Sequence, residues 1–170
     1  MTPTELCHLS ITEASIGLRR KEFSPSELGQ ACLKRIGSLD GKLHSFITVT
    51  ADLALEQARR AEQELRSGTD KGLLHGIPVA LKDLYATKNI RTTCHSAVLQ
   101  EWVPDHDATP VVKLAQAGTV LLGKLAMHEF AFGGPSVDAR FPRFAIHGIQ
   151  PIFREAPAAV PVLPLLLDYV

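Results

Sequence analysis

The chain carries no net charge, with 18 Lys+Arg set against 18 Asp+Glu. That balance removes the electrostatic ground for binding nucleic acid or an anionic membrane surface. Cysteine is sparse: Cys7, Cys32 and Cys94 are the three present. An odd, scattered set excludes a disulfide framework and fits a reducing compartment. Long hydrophobic runs are missing too. The longest, Ala158–Leu167, is ten residues with two prolines inside it, too short to span a bilayer. The opening "MTPTELCHLSITEA" has neither the basic nor the apolar region of a signal peptide. These absences predict a cytoplasmic protein without a membrane partner. No phosphate-loop or dinucleotide fingerprint occurs. The stretch "HEFAF" begins like a zinc-protease helix, but Phe132 stands where the second histidine belongs, so no metal is expected there. Cys94-His95 and Asp105–Asp107 hold ligand-type side chains without paired spacing. No cofactor is implied.

What remains is ordinary soluble material: 170 residues, 45% apolar and 21% charged, enough for one domain with a real core. The first 70 residues read as largely helical. Ser10 and Glu13 have capping-box spacing, which predicts a helix over 10–22. Ser24 as N-cap, Pro25 at N1 and Glu27 at N3 predict a second, with Leu28, Ala31, Cys32 and Ile36 on one face. "HSFITV" (44–49) reads as a short strand. Residues 51–66 are strong helix formers, and Gly68 is placed to end that helix. From Gly72 the texture changes to strand, connection, helix, strand, the cadence of an α/β sheet. "GIPVALKD" (76–83) and "TVLLGK" (119–124) are the strands. Between them Thr109 as N-cap, Pro110 at N1 and Gly118 as terminator mark a helix.

One stretch holds candidate chemistry. In an extended 76–83, Ile77, Val79 and Leu81 share one face, while Pro78, Ala80 and Lys82 share the other. A lysine ending an apolar strand is a candidate for partial desolvation, which favours its neutral, basic form. The plain alternative is a solvated strand end. "FGGPS" (132–136) is a glycine-rich turn that lets backbone approach a substrate or simply turns the chain.

Taken in order, these landmarks resemble the amidase signature family. "GLLHGIPVALKDLYATKNIRTT" is similar to that family's G-x-P-x-x-x-K-D block and the turn that follows it. "DHDATPVVKLAQAGTVLLGKLAMHEFAFGGPS" is similar to its next block. The resemblance covers about residues 5–142. It implies an α/β fold, with a helical N-terminal region leading into strands of a mixed sheet flanked by helices. It also implies carboxamide chemistry on a Ser–cis-Ser–Lys triad. Lys82 falls on the triad lysine, whose implied role is to take a proton from a bridging serine that activates the nucleophilic one. Met127, Glu129 and Phe130 fall in a block that helps form the substrate channel, with core packing as the other reading. The implied substrate is a small-molecule amide. The intact parent is read as a free amidase, with the A subunit of a glutamyl-tRNA amidotransferase complex as the alternative. A parent homodimer is compatible with either.

The chain departs from the family in three places. "TTCHSAV" stands where the family has "TCGS" or "TTAGS", and Ala126 stands where asparagine is common. Residues 143–170 match neither serine-bearing motif in this frame. Read from the third base of suitably chosen codons from Phe144 onward, the same stretch yields R-N-P-W-N and then a G-G-S-S-S-G-S loop, in register. The expectation is therefore an incomplete amidase domain over 1–142, and an out-of-frame, irregular tail over 143–170. Such a chain retains Lys82 but lacks both serines, and no amidase activity is expected of it. A competing reading makes it a non-catalytic interaction module, with "PVLPLLL" as a docking peptide.

Overall fold

The first three helices begin on the same reciprocal device. In α1 (Pro3–Cys7), α2 (Ile11–Arg19) and α3 (Pro25–Leu43), the caps Thr2, Ser10 and Ser24 accept from the backbone N–H of Glu5, Glu13 and Glu27. Each glutamate in turn accepts from the N–H of its cap. Each box satisfies two donors that the first helical turn would leave orphaned. The boxes at Ser10 and Ser24 are the expected ones, and the box on α1 is additional. The computed structural model describes residues 1–132 and the backbone of residues 159–161.

Strand β1 (Phe46–Val49) and helix α4 (Ala51–Arg66) occupy the expected segments, and Gly68 follows α4 with φ +88°. Then come β2 (Pro78–Lys82), α5 (Thr109–Gln116), β3 (Val120–Leu125) and a 3-10 turn at Glu129–Ala131. Helix α5 starts one residue earlier than expected. Ala108 is its N-cap, so Thr109 is N1 and Pro110 N2, and no side chain caps it. Proline fits either position because neither N–H is used within the helix.

The strands form one mixed sheet in the order β1-β3-β2-β4, where β4 is Ala159–Pro161. β3 pairs antiparallel with β1 and parallel with β2, and β2 pairs antiparallel with β4. This is the expected α/β class. The short β4 corrects the expectation of a wholly irregular tail: it lies within 143–170 and pairs with Val79–Leu81. Backbone pairing needs no particular side chain, so the free edge of β2 can take a strand of any composition. The other residues of the predicted tail, and the "FGGPS" turn beyond Phe132, lie outside the described residues.

Apolar side chains divide between the two faces of the sheet. On one face Ile77, Ala80, Val120, Leu122 and Leu125 pack with Leu6, Leu18, Leu28, Cys32, Ile36, Ala54 and Ala58 of the helical region. On the other Val79, Leu81 and Leu121 pack with Val111 of α5. The split corrects one reading: Ile77 does not share a face with Val79 and Leu81. Ile77 lies one residue ahead of β2, outside the run over which Val79, Ala80 and Leu81 alternate. The register with β3 shifts between Val79 and Ala80, where the extra residue, Leu122, is on β3. Gly123 sits where the register irregularities meet, partnered by both Val49 and Ala80. A Cβ there would run into the carbonyl oxygen of Thr48, so only glycine lets β1 close on β3.

Candidate active site

Parallel β2 and β3 end side by side, with Lys82 opposite Leu125. The residues singled out from sequence gather at this end. Lys82 closes β2 half-buried, with no hydrogen-bond or ion-pair partner among the described residues. Met127 lies two residues past β3, buried, and its N–H donates to His95 Nδ1 at 3.2 Å. Glu129 is half-buried and Phe130 is exposed, both in the 3-10 turn. Phe130 N–H donates to the carbonyl of Cys94 at 2.9 Å. The 92–96 turn and the 127–130 segment are therefore tied together over the ends of the two strands. Crevices beyond the C-terminal ends of parallel strands are where α/β sheets place ligands.

The sequence reading passed over the charged centre beneath this crust. Lys124, within the apolar run of β3, is fully buried. Its Nζ donates to the Tyr85 carbonyl and to Thr92 Oγ1, each at 2.7 Å. Asp83, also fully buried, directs Oδ1 at Lys124 Nζ across 3.3 Å, an ion-pair contact without the alignment of a hydrogen bond. Its Oδ2 accepts from Thr93 N–H at 2.7 Å and Thr93 Oγ1 at 2.6 Å. Burial pushes the Lys124 ammonium below the ordinary lysine range, and Asp83 opposes that shift. Burial likewise raises the Cys94 thiol, with Asp83 adding to the rise. It lowers the His95 imidazole, which suits a ring nitrogen that accepts from Met127. A signal was available: a lysine inside "VLLGKL" is out of place in a buried strand unless paired.

Two pairs of consecutive left-handed residues frame the centre. Cys94 and His95 have φ of 51° and 57°, and Phe130 and Ala131 have φ of 50° and 57°. Non-glycine residues in this region are strained, and such strain concentrates at functional sites. It also explains the departure at "TTCHSAV". His95 occupies a left-handed position that suits glycine, and its ring compensates by accepting from Met127. Cys94-His95 are thus part of the crust. Among the described residues no group of three or more His, Cys, Asp or Glu is arranged to hold a metal. The pair around Asp105 is a surface contact, with His106 Nδ1 at 2.7 Å from the Asp105 carboxylate.

A family model for amidases matches residues 27–143, more than half of the chain and all of the framework just described. The chain belongs to the amidase family. Among curated amidase-family relatives, the A subunit of glutamyl-tRNA(Gln) amidotransferase from Azotobacter vinelandii is 49% identical over 133 residues, 78% of this chain and 27% of that protein. Its counterpart from Chromohalobacter salexigens is 51% identical over 130 residues, 76% of this chain and 26% of that protein. Among solved structures, the peptide amidase of Stenotrophomonas maltophilia superposes with a TM-score of 0.67 at 35% identity, covering 71% of this amidase-family chain and 25% of that one. The chain thus spans about a quarter of the length of the curated relatives it matches. No described helix is long and apolar enough to cross a membrane.

Proposed function

We propose that the amidase-family protein to which this segment belongs cleaves a carboxamide C–N bond by acyl transfer to a serine. Lys82 takes the proton from a bridging serine and returns it through that serine to the departing amine, and water then releases the acyl group from the nucleophilic serine as a carboxylate. The observation that carries this reading is the contrast between two neighbouring lysines. Lys124 is committed to Asp83, Tyr85 and Thr92. Lys82, at the end of the adjacent strand, keeps its amine unpaired among the described residues. A proton acceptor must be half-desolvated and uncommitted, and of these two lysines only Lys82 meets both conditions among the described residues. Glu129 and Phe130, at the same end, border the substrate's path, and Met127 supports it from beneath.

The serines enter through the shifted reading of residues 143–170. The end of the family match at residue 143 supports a domain that is interrupted there. The nucleotide sequence over codons 137–170 tests the shift directly: a third base other than T in the His147 codon would not give Trp in the other frame, one other than A in the Pro157 codon would not give Ser, and either refutes it. With the frame restored by one base, the longer product should hydrolyse an aryl amide, while the 170-residue chain should not. Lys82→Ala in the restored product should lower kcat by about 10²- to 10⁴-fold. Turnover by the 170-residue chain, or an unaffected Lys82→Ala variant, would overturn the reading.

A second reading rests on identity. The named amidotransferase subunits stand at 49% and 51%, above the 35% of the peptide amidase. This favours a component of an amidotransferase complex over a free hydrolase. Glutamine hydrolysis by the restored product that appears only with added partner subunits would support it. Full activity of the restored product alone would favour the free hydrolase.

A further inference from the structure

We infer that Asp83 and Lys124 are positioning residues for Lys82, joined in a buried clamp that holds the 83–96 loop across the ends of β2 and β3. This rests on the reading of Lys82 as the proton acceptor.

The geometry divides the labour by face. Along β2, alternation sets Leu81 and Asp83 on the α5 side of the sheet and Lys82 on the other. Asp83 therefore sits next to Lys82 in sequence but reaches away from it, into the loop that follows. There it grips Thr93 twice, through the backbone N–H and the hydroxyl. Thr93 Oγ1 in turn accepts from His95 N–H at 3.0 Å, and Cys94 N–H donates to the Asp83 carbonyl at 3.1 Å. Asp83 is further held by its own N–H, which donates to the Leu125 carbonyl at 3.2 Å.

Lys124 grips the same loop at two other points, the Tyr85 carbonyl and Thr92 Oγ1. One buried cation and one buried anion thus hold residues 85, 92 and 93 against the strand ends. Any play at Asp83 is transmitted through one peptide unit to Lys82. A proton acceptor tolerates little displacement, since misplacement of about 1 Å can cost on the order of 100-fold in rate. The pair is costly to bury and would be easy to replace with apolar residues if packing were its only task. Its hydrogen bonds go to a strained turn at the candidate site, which makes positioning its task.

The test measures Lys82 without requiring turnover. Competitive acetylation of the 170-residue chain, read by mass spectrometry, compares Lys82 with the exposed Lys34 and Lys88. Lys124→Met and Asp83→Asn should each raise Lys82 labelling about tenfold as the loop opens, with Lys34 unchanged. The double variant Asp83→Asn/Lys124→Met leaves no charge unpaired and keeps the chain folded. It should still raise labelling, because the grip of Lys124 on Tyr85 and Thr92 is lost and Thr93 is left with a neutral acceptor in place of the carboxylate. Thr93→Val, which removes the hydroxyl's donation to Asp83 and its acceptance from His95 N–H, should raise it about threefold. Unchanged Lys82 labelling in the double variant or in Thr93→Val overturns the proposal. In the frame-restored product, Thr93→Val should lower kcat with KM held, whereas a purely structural role would lower the folded fraction and leave kcat per folded molecule intact. Failure of the Lys82 reading is separate: it would leave Lys82→Ala fully active whatever the labelling shows.

Discussion

Single side chains in this molecule are set by their nearest partners, and two of them give direct expectations. Glu64, near the end of α4, accepts from Lys71 Nζ and Arg60 Nε and lies 2.9 Å from His75 Nε2. The Lys71 contact leads in holding its carboxyl down to about 2, against an ordinary 4.5. A depressed carboxylate contributes stability above its unfolded pKa and loses it as pH falls through the folded one. Urea midpoints should therefore drop between pH about 4.5 and about 2, and Glu64→Gln should flatten that part of the profile. An unchanged profile in the variant would show that the Lys71–Glu64–His75 cluster carries none of the acid sensitivity. Cys7 is the second case. It lines a surface cavity of about 300 Å³ beside Lys34 and Arg35. A hydrogen bond from Cys32 lowers its thiol pKa, with Arg35 adding to the effect, while Cys32 and Cys94 are shifted upward. The thiolate is the reactive form. Iodoacetamide should modify Cys7 first, and faster labelling of Cys94 would contradict this assignment.

Elements are where local sequence rules had most force. Helix α3 has Ser24, Pro25 and Glu27 at cap, N1 and N3, and all three do what their spacing implies. Ser24→Ala should cost about 1 kcal/mol of stability, since the Glu27 N–H loses its partner while the N–H of residue 24 keeps the Glu27 carboxylate. Thermal melts of the variant check this, and a loss below a few tenths would mean the first turn is held by packing alone. Strands were less legible. The alternation that placed Ile77 with Leu81 fails because the strand begins only at Pro78, and where a strand begins is decided by its partner, here by the pairing of Pro78 with Val120. The start of α5 slipped by one residue for a related reason: Thr109 has the chemistry of a cap, yet the backbone turns into the helix at Ala108. Cap identity is local, but the point at which the chain enters a helix also depends on where the preceding loop is anchored, here by Ala108 N–H donating to the Ala86 carbonyl.

For the whole chain, the question is whether a quarter-length amidase segment stands alone. Cooperativity of melting discriminates little, because the described residues carry a core of their own on each face of the sheet. Exposed apolar surface is the better measure. Leu73, Val98, Val103 and Phe132 are 71%, 82%, 53% and 87% exposed, high for residues that most chains bury. An incomplete domain should show a cooperative transition yet bind a hydrophobic dye in its native baseline and self-associate as concentration rises. A monomeric, dye-silent chain would favour the interaction-module reading.

Sequence alone determined α2 to α4, the capping boxes at Ser10 and Ser24, the two central strands, the family and the position of Lys82 at a strand end. All of these rest on neighbours within a few residues, or on motif order along the chain, and such information is local. Tertiary structure decided that Lys124 is the committed lysine and that Lys82 is uncommitted among the described residues. Asp83 and Lys124 are forty-one positions apart and Gly76 and Gly118 forty-two, and these segments meet only because β3 pairs in parallel with β2. A buried charge can be recognised as paired only when that long-range register is formed, because the free energy of burying it depends on the partner that arrives from the other strand.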